Sequence, residues 1–357
     1  MSPILSPSQV TLTMRDGERG VNNSGPRAYG RVGVVSKNFQ VITVTPAPAI
    51  DRTYLVSSLE LGGVHRATRA RAEFAGKGVN VTQALLLGGV SSEAIAPLTA
   101  TDQEEWSGTS FLLGSPTSQS VRNNITILEP DGRTTKINEA APALSESEWD
   151  ALQALAVAEV KLNNAAWLLV AGTLPTTSSG KPHALSSLLK EVSGLGCQVA
   201  LDTSGPALLE SARTGIPDFI KPNASELAEC VSRPIATLGD VVDAGQEIAG
   251  WGVGMVVVSL GPDGIVGMSA TSAVHAWTTP LEVLNTIGAG DASVAGFLAH
   301  QVSHPGDLAG AVSQAVAWGA QKVQQAGSQL ENLASLPTVH TTHAPDRSLK
   351  LAEPGRF

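Results

Sequence analysis

The stretch of this chain with the clearest chemical potential is a glycine loop that leads into a helix near the C-terminus. Gly288, Ala289 and Gly290 precede Asp291, and the spacing of the apolar residues that follow predicts a helix over about 291–302. The first N–H groups of a helix have no internal partner and attract anions, and glycine lets a phosphoryl group approach the backbone. Asp291 could cap this helix or accept the proton of an attacking hydroxyl group, and the local sequence favours neither role.

A second cluster of glycines surrounds a lysine. Gly76, Lys77 and Gly78 precede a helix predicted over 81–87, and Asn80 lies at the start of that helix. Lys77 could be an ordinary solvated loop lysine. Its position at a helix start, with Asn80 close by, is better suited to a phosphate or polyol ligand.

Three polar residues near predicted strands add sugar- and phosphate-binding chemistry. Asp51 follows the first strand, where its carboxylate could accept hydrogen bonds from two sugar hydroxyl groups; an Asx turn explains it nearly as well. Arg122 and Asn124 open a later strand, and a guanidinium fork matches a pair of phosphate oxygens. An arginine on an exposed strand is usually only a solvated charge, so these residues alone are weak indicators of a site.

Two further segments follow buried strands. After Lys221 and a proline, Asn223 is a predicted helix N-cap with Glu226 as its capping-box partner, and the same carboxylate could hold a hydrated Mg²⁺. The second segment is a tight turn after a valine-rich strand, at the end where ligands lie in open α/β sheets. Beside a nucleotide, this turn would cover the ribose and phosphates. Its residues are Ser259, Leu260, Gly261, Pro262, Asp263 and Gly264.

The elements that must position these residues alternate between short apolar runs and Ala- and Leu-rich helices. The runs are apolar on both faces, which is typical of parallel strands covered on both sides. The order predicts an α/β fold, a doubly wound, mostly parallel sheet with helices on both faces. Strands are predicted at 40–45, 167–171, 198–202, 218–221 and 254–259, and helices at 148–160 and 182–192.

Alternating polar and apolar residues interrupt this pattern in two regions, about 52–73 and 121–138. The strands predicted there are 52–59, 63–73, 121–128 and 133–138, and Pro130-Asp-Gly132 forms a hairpin turn between the last two. Antiparallel strands within a parallel α/β chain indicate a small β lid.

Composition limits the class of protein. The 357 residues carry 23 Lys and Arg against 32 Asp and Glu, a net charge of −9, with only 6 Phe, 6 Trp and 2 Tyr. This argues against nucleic acid as a partner, because neither a cationic field nor an aromatic platform is present. Cys197 and Cys230 lack metal-ligand spacing, so neither a disulfide framework nor a zinc site is expected.

Targeting signals are also missing. No apolar run approaches the roughly 20 residues that cross a bilayer, and the N-terminus lacks the pattern of a secretory signal. We therefore expect a cytoplasmic protein without a membrane partner. The expected organisation is a flexible N-terminal tail over 1–38, one catalytic domain over 39–340 and a C-terminal tail over 341–357.

Two common nucleotide motifs do not fit. Gly288-x-Gly290-x-x-Ser293 lacks the third Gly or Ala of a dinucleotide fingerprint, and the chain has no P-loop. A nicotinamide dehydrogenase is therefore disfavoured.

Taken together and in this order, the clusters resemble the PfkB-type carbohydrate kinases of the ribokinase-like fold. The resemblance spans about 41–327, and it is closest to the 1-phosphofructokinases and tagatose-6-phosphate kinases. Its most specific motifs are Gly288-Ala-Gly-Asp291 and Ala75-Gly-Lys-Gly-Val-Asn80. Similar segments are Thr45-Pro-Ala-Pro-Ala-Ile-Asp51, Val121-Arg-Asn-Asn124, Thr135-Lys-Ile-Asn138, Gly172-Thr-Leu-Pro175, Leu201-Asp-Thr-Ser204 and Ile220-Lys-Pro-Asn223.

The resemblance implies ATP- and Mg²⁺-dependent phosphorylation of a ketohexose phosphate, with Asp291 as the base and the Gly288–Asp291 backbone as an anion hole. It assigns Glu226 and Asn223 to Mg²⁺. Its sugar-phosphate residues are Asp51, Gly76, Lys77, Gly78, Asn80, Arg122, Asn124 and Asn138. Its nucleotide-binding residues are Lys221, Asn223, Gly290 and 259–264.

The substrate expected first is fructose 1-phosphate, with tagatose 6-phosphate or fructose 6-phosphate as alternatives. A glycine-rich segment of the family is replaced here by residues 96–102, and the region up to Gly114 is shortened. A catalytically silent sugar-phosphate sensor is therefore an alternative of a different class, although a sensor has no use for the Asp291 base. Because the lid strands expose edges, we expect a homodimer that pairs lid on lid.

Overall fold

Strands and helices alternate along residues 38–357, the part of the chain described by a computed structural model. The predicted tail over 1–38 lies outside these residues except for Asn38. The strands are β1 (Val41–Val44), β2 (Ala49–Leu55), β3 (Arg69–Ala75), β4 (Ser92–Leu98), β5 (Leu112–Pro116), β6 (Arg122–Leu128), β7 (Thr134–Asn138), β8 (Trp167–Ala171), β9 (Gln198–Asp202), β10 (Phe219–Ile220), β11 (Ile235–Thr237), β12 (Met255–Ser259), β13 (Ile265–Met268), β14 (Ala273–Thr278), β15 (Val339–Thr342) and β16 (Lys350–Gly355). The helices are α1 (Lys77–Leu87), α2 (Ala100–Glu105), α3 (Glu146–Asn163), α4 (Ser186–Gly194), α5 (Pro206–Arg213), α6 (Ala224–Val231), α7 (Leu238–Ala249), α8 (Ala289–Ser303) and α9 (Leu308–Val323).

A ten-stranded sheet forms the centre of the fold, in the order β15-β14-β13-β12-β10-β9-β8-β1-β4-β5. The strands from β12 to β5 pair in parallel, and β12 to β15 form an antiparallel meander at one edge. In the register, Val41 of β1 lies between Ser92 and Trp167. The predicted α/β fold with a mostly parallel sheet is confirmed.

Helices cover both faces of this sheet because its central strands are apolar on both sides. In β1, Ile42 packs into the core that contains Trp149 of α3, whereas Val41 packs into the core that contains Phe297 of α8. The β1, β4 and β8 strands are buried along their whole length. None of the helices in residues 38–357 is long and apolar enough to cross a membrane.

Helix boundaries follow local capping chemistry. The α3 helix begins after Ser145, whose hydroxyl oxygen accepts the N–H of Glu148 while the Glu148 carboxylate accepts the N–H of Ser145. The helix predicted over 182–192 begins only at Ser186. Pro182 instead forms an antiparallel bridge with Thr176, which keeps the chain extended before α4.

The four-stranded lid sheet has the order β3-β2-β6-β7. The β2 strand pairs antiparallel with β3 and in parallel with β6. The β6 and β7 strands form the hairpin predicted around Gly132, which has a φ of 89°. The strand predicted over 63–73 begins only at Arg69. The β3 strand leads through Gly76, with a φ of 137°, directly into α1, so the lid is continuous with an element of the main fold.

The C-terminal region differs from the prediction of a tail over 341–357. The β15 strand pairs with β14 at the edge of the main sheet, and β16 pairs antiparallel with β11 and buries Leu351. These strands are short and largely polar, so backbone pairing rather than an apolar pattern holds them in place. Such pairing leaves little signal in the sequence.

Candidate active site

A carboxylate and two lysines meet at the carboxyl end of the parallel sheet. Asp202 ends β9, Lys221 follows β10, and Lys77 is the first residue of α1. The Oδ1 atom of Asp202 lies 3.1 Å from Lys77 Nζ and 3.4 Å from Lys221 Nζ. We call these three residues the carboxylate–lysine cluster.

Charge and burial oppose each other in this cluster. Burial raises the pKa of Asp202, but the two ammonium groups outweigh burial and hold that pKa below its ordinary value. Burial lowers the pKa of Lys77, but the carboxylates of Asp202 and Asp291 outweigh burial, so that this pKa lies above its ordinary value. Lys77 is therefore held as a cation, Lys221 lies within ion-pair distance of the same carboxylate oxygen, and the buried Oδ2 of Asp202 has no hydrogen-bond partner within residues 38–357.

Asp291 lies in the first turn of α8 but does not cap it. The N-cap is Gly288, and no side chain caps the helix. Instead Asn80 of α1 donates a hydrogen bond from Nδ2 to Asp291 Oδ2 at 2.8 Å. Burial and the Asp202 carboxylate raise the pKa of Asp291 to about 6, against the lowering effect of Asn80 and the two lysines. Asp291 is therefore not a helix cap but a buried carboxylate with a raised pKa.

The sequence predicts an anion hole at the Gly288–Asp291 backbone, and we call this stretch the anion pocket. Gly288 has a φ of 80°, and a Cβ there would collide with the carbonyl oxygen of Ser328. A Cβ on Gly290 would lie 3.7 Å from Lys221 Nζ, so a side chain at this position would enter the space before that cation. No carbonyl group among the described residues accepts the N–H of Gly290 or Asp291. Gly290 and Asp291 therefore present free donors at the positive end of α8, whereas the Ala289 N–H donates to the Thr286 carbonyl oxygen at 3.2 Å.

The lid contributes a second set of polar residues. Asp51 accepts a hydrogen bond from Asn124 Nδ2 at 3.0 Å, and burial raises the Asp51 pKa. Arg122 donates from Nη1 to the Glu139 carbonyl oxygen at 3.2 Å. Asn138 lies opposite Asn124 in the β6–β7 register.

Two polar atoms of the lid face no protein partner. They are Arg122 Nε and Asn124 Oδ1, both buried and without a hydrogen bond in residues 38–357. Buried polar groups are usually satisfied, so these atoms are available to a polar ligand or to an ordered water. Asp51 lies opposite Glu73 on β3, and Gly76 and Gly78 follow within a few residues, so the lid residues connect through a short segment to Lys77 and Asn80.

The segment assigned to nucleotide binding starts with the predicted capping box. Asn223 Oδ1 accepts the N–H of Glu226 at 2.9 Å, and Glu226 Oε2 accepts the N–H of Asn223 at 2.8 Å. Asn223 also forms a parallel bridge with Ser259, which brings the start of α6 beside the turn that follows β12. In this turn, Leu260 precedes a short 3₁₀ helix (Gly261–Asp263), and Gly264 has a φ of 84°.

The C-terminal strand holds this turn from outside. The Ala352 N–H donates to Asp263 Oδ2 at 2.7 Å, and a Cβ on Gly261 would lie 3.1 Å from a Glu353 carboxylate oxygen. Pro262 lies between Gly261 and Asp263, the two residues of the turn that these contacts involve. A segment predicted to be a tail therefore supports the turn.

The side chains near Glu226 fit a Mg²⁺ ion only if nucleotide phosphates and water supply its other ligands. In the part of the chain that is described, no group of three or more His, Cys, Asp or Glu side chains is arranged so that it could hold a metal ion. Glu226 offers a single carboxylate, and Mg²⁺ commonly binds through one or two carboxylates with phosphate oxygens and water. The residues therefore fit a Mg²⁺ ion that arrives with a nucleotide.

Sequence reasoning did not single out Asp202, although it is the most buried charge of the site. It appeared only within a segment that resembles the kinase family. The signal that could have identified it is a carboxylate that directly follows the apolar run 199–201 at the end of a parallel strand, where ligands are bound in open α/β sheets.

Comparison with known proteins defines the class of this fold and site. Residues 44–334 match the family model described as pfkB family carbohydrate kinase. Because the match covers most of the chain, the chain belongs to this family. It is a sugar-phosphate kinase, and membership of the family implies use of ATP.

Individual relatives are similar over almost their whole length. The chain is 31% identical over 308 residues to 1-phosphofructokinase from Rhodobacter capsulatus, which covers 83% of this chain and 95% of the relative. It is 28% identical over 298 residues to the ATP-dependent 6-phosphofructokinase isozyme 2 of Escherichia coli, covering 82% and 94%. A solved structure of phosphofructokinase-2 from Escherichia coli matches with a TM-score of 0.75 and 26% identity, covering 83% and 96%. Another structure of that protein is described as a tetrameric inhibited form.

Proposed function

We propose that this chain transfers the γ-phosphoryl group of ATP to the C6 hydroxyl group of fructose 1-phosphate and forms fructose 1,6-bisphosphate. The observation that carries this proposal is the buried Asp291 carboxylate, held by Asn80 beside free N–H donors at the start of α8. A base next to an anion site is what transfer of a phosphoryl group to an alcohol requires.

Asp291 and Asn80 divide the task of handling the proton. Asn80 occupies Oδ2 of Asp291, and no described group donates to Oδ1, which is left to face the hydroxyl group of the sugar. As the C6 oxygen bonds to the γ-phosphorus, its proton passes to Asp291 and the bond from that phosphorus to the leaving oxygen of ADP breaks. Glu226 and Asn223 would hold a Mg²⁺ ion, which would neutralise charge on the nucleotide phosphates when bound.

The chain's own cations hold the two phosphate regions. Lys221, whose ammonium group faces the space before Gly290, is placed to steady the nucleotide phosphates together with the 259–264 turn. Lys77, with a side chain 41% exposed, and Arg122, with its unpartnered Nε, are placed to bind a phosphate already on the sugar. A kinase for a free sugar would not need both.

Asp51 is the candidate for binding the sugar hydroxyl groups. Asn124 holds one of its oxygens at 3.0 Å, and Asn124 Oδ1 remains without a partner. Asn138 lies opposite on the neighbouring strand. This arrangement offers both acceptors and donors to a polyol.

A kinase for fructose 6-phosphate or tagatose 6-phosphate is the alternative within the same class. Similarity to a 6-phosphofructokinase supports it, because the same cations can bind a phosphate at either end of a ketohexose. A silent sensor is supported less well, because the raised pKa of Asp291 serves proton transfer and offers nothing to a sensor.

A comparison of substrates tests the proposal and separates the alternatives. Coupled ATP-consumption assays with fructose 1-phosphate, fructose 6-phosphate, tagatose 6-phosphate and fructose should give the highest kcat/KM for fructose 1-phosphate. In Arg122→Leu, kcat/KM for the phosphorylated sugars should fall about 10- to 100-fold, the usual value of a lost charged hydrogen bond, with a smaller effect on fructose. Arg69→Leu is the matched control, because Arg69 is an exposed arginine at the start of lid strand β3.

Two other outcomes of the substrate comparison would change the proposed function. Preference for fructose 6-phosphate or tagatose 6-phosphate would replace the proposed substrate. Tight binding of a sugar phosphate without ATP consumption would instead establish the sensor.

We also propose that two chains pair through their lids. The sheet order leaves β3 and β7 as lid edges, and Ile137 on β7 is 56% exposed. Light scattering should therefore give twice the chain mass of 36.7 kDa, and Ile137→Lys should reduce it to a single chain mass. Leu162→Lys, at a 51% exposed position of α3, is the matched control and should leave the mass unchanged. A wild-type protein with the mass of one chain would overturn this proposal.

A further inference from the structure

A completely buried lysine lies outside the carboxylate–lysine cluster. Lys322, near the end of α9, exposes 0% of its surface. Its Nζ donates to the main-chain carbonyl oxygens of Asn285 at 3.2 Å and Gln325 at 3.5 Å. Within residues 38–357 no salt bridge joins it to a carboxylate. Burial lowers its pKa, against the weaker attraction of Glu331 and Asp291.

The two carbonyl groups belong to the segments that support the anion pocket. The N–H groups of Leu284 and Asn285 both donate to the Val323 carbonyl oxygen, at 2.8 and 3.1 Å. Asn285 Nδ2 donates to the carbonyl oxygens of Ala326 and Gly327, at 2.9 and 3.1 Å. The loop that enters α8 is thus bound along its length to the loop that leaves α9.

Lys322 also lies directly behind the turn that opens α8. A Cβ built on Gly288 would lie 3.5 Å from Lys322 Cε. Gly288 in turn is the N-cap from which Gly290 and Asp291 present their free N–H groups. The alkyl chain of Lys322 therefore lies close behind this turn.

The charge at this position is unfavourable for the fold alone. A cation near the N-terminus of a helix is repelled by the helix dipole, and a buried cation without a paired carboxylate is costly. An apolar side chain would fill the same space without either cost. The arrangement becomes favourable when an anion binds on the other face of the turn, because the lysine then adds to the positive potential that the anion meets.

We propose that Lys322 is a positioning residue for phosphoryl transfer. Its ammonium group fixes the Asn285 and Gln325 carbonyl groups and so holds the Gly288–Asp291 turn in the form that receives the phosphoryl group. This inference rests on the proposed function, because it assigns the anion pocket to the transferred group. Lys322 itself does not contact the substrate.

The test uses Lys322→Met, which keeps the length of the side chain and removes its charge and donors. We expect kcat to fall about 100-fold, the usual cost of a small misplacement at a reacting centre, while KM for the sugar phosphate changes less than threefold. Amide hydrogen exchange over 285–291 should become faster in the variant. A merely structural role would not separate kcat from KM in this way.

Chemical rescue identifies the ammonium group as the cause. Ammonium chloride should restore part of kcat and slow the exchange of 285–291 in Lys322→Met, whereas tetramethylammonium chloride at equal ionic strength should do neither. Gln321→Met is the matched control, because Gln321 is buried on the same helix and donates to Asn332 at 3.2 Å. It should keep wild-type kcat and show no response to ammonium.

The outcomes separate this inference from the proposed function. An unchanged exchange of 285–291 in Lys322→Met, or a loss that ammonium does not rescue, would overturn the role of Lys322. A wild-type protein that phosphorylates no ketose phosphate would count against the proposed function instead. In that case the exchange measurement and its rescue would still decide whether the lysine holds the turn.

Discussion

Replacing Asp291 with asparagine should lower kcat about 1000-fold, because the variant keeps the shape of the side chain but cannot accept the proton of the attacking hydroxyl group. Binding of fructose 1-phosphate, measured by calorimetry, should change less than threefold. The variant's side-chain oxygen can still accept the Asn80 hydrogen bond now made at 2.8 Å, so the start of α8 should stay in place. Turnover retained within a factor of ten would remove Asp291 from the mechanism.

The pH dependence of the wild-type enzyme supplies a second readout for the same residue. Burial and the Asp202 carboxylate raise the pKa of Asp291 to about 6, so the base is protonated and inactive below that value. We expect kcat/KM to fall tenfold for each pH unit below about 6. The residual activity of Asp291→Asn should lack this limb, and a wild-type profile flat down to the ordinary aspartate range would contradict the assignment.

The Asp291→Asn substitution should lower activity without lowering the stability of the fold. Because the folded-state pKa of Asp291 is raised, the protonated form stabilises the fold, and this contribution is lost as the pH rises from the ordinary aspartate value through about 6. At neutral pH the neutral asparagine avoids the cost of a buried charge. The thermal midpoint of Asp291→Asn should therefore match or exceed that of the wild type at pH 7, with a smaller difference in acid.

Of the variants proposed for this protein, Asp202→Asn should lose the most stability. Asp202 is 1% exposed and pairs with Lys221, which is 5% exposed, so the variant would leave a buried ammonium group without its carboxylate. Removing one partner of a buried pair costs about 3 kcal/mol. Urea unfolding at pH 7 should show this loss in the free energy of unfolding.

The control for Asp202 is an exposed ion pair of similar length. Asp243 lies 2.7 Å from Arg347, with side chains 60% and 53% exposed, and Asp243→Asn should cost less than about 1 kcal/mol. The Asp202 pKa is lowered, so its stabilising effect is present above the ordinary aspartate pKa and is lost as the pH falls through the folded-state value. Equal losses in the two variants would show that the cluster does not stabilise the fold.

Asp202→Asn should also move the pH limb of Asp291. The Asp202 charge raises the pKa of Asp291, while Lys77 and Lys221 lower it and remain in the variant. The acid limb of kcat/KM should therefore shift below about pH 6. A loss of packing alone would not produce this shift.

Much of the local architecture could be predicted from the sequence, because it depends on neighbours in the chain. The strand over 167–171 and the capping box of Asn223 and Glu226 are examples, since apolar runs and N-cap pairs act over a few residues. The glycine turn at Gly288 is another, because its left-handed φ requires that residue.

Other local expectations were wrong where long-range pairing decides the structure. Residues 341–357 carry no apolar pattern, yet β16 pairs with β11, more than a hundred residues earlier in the chain. The start of α4 is delayed for a different, local reason, because Pro182 lies in a bridge with Thr176, six positions earlier. Backbone hydrogen bonds between distant segments leave little trace in residue type.

The order of residues along the chain specifies which chemical groups are present: a base candidate after a glycine turn, a lysine between glycines and an arginine on a lid strand. It is the folded chain that brings Asn80 to Asp291 across 211 positions and joins Lys77 to Lys221 through Asp202. Hydrogen bonds, ion pairs and pKa values depend on distance and burial. Those quantities are set when the parallel sheet brings the ends of separate strands to one edge.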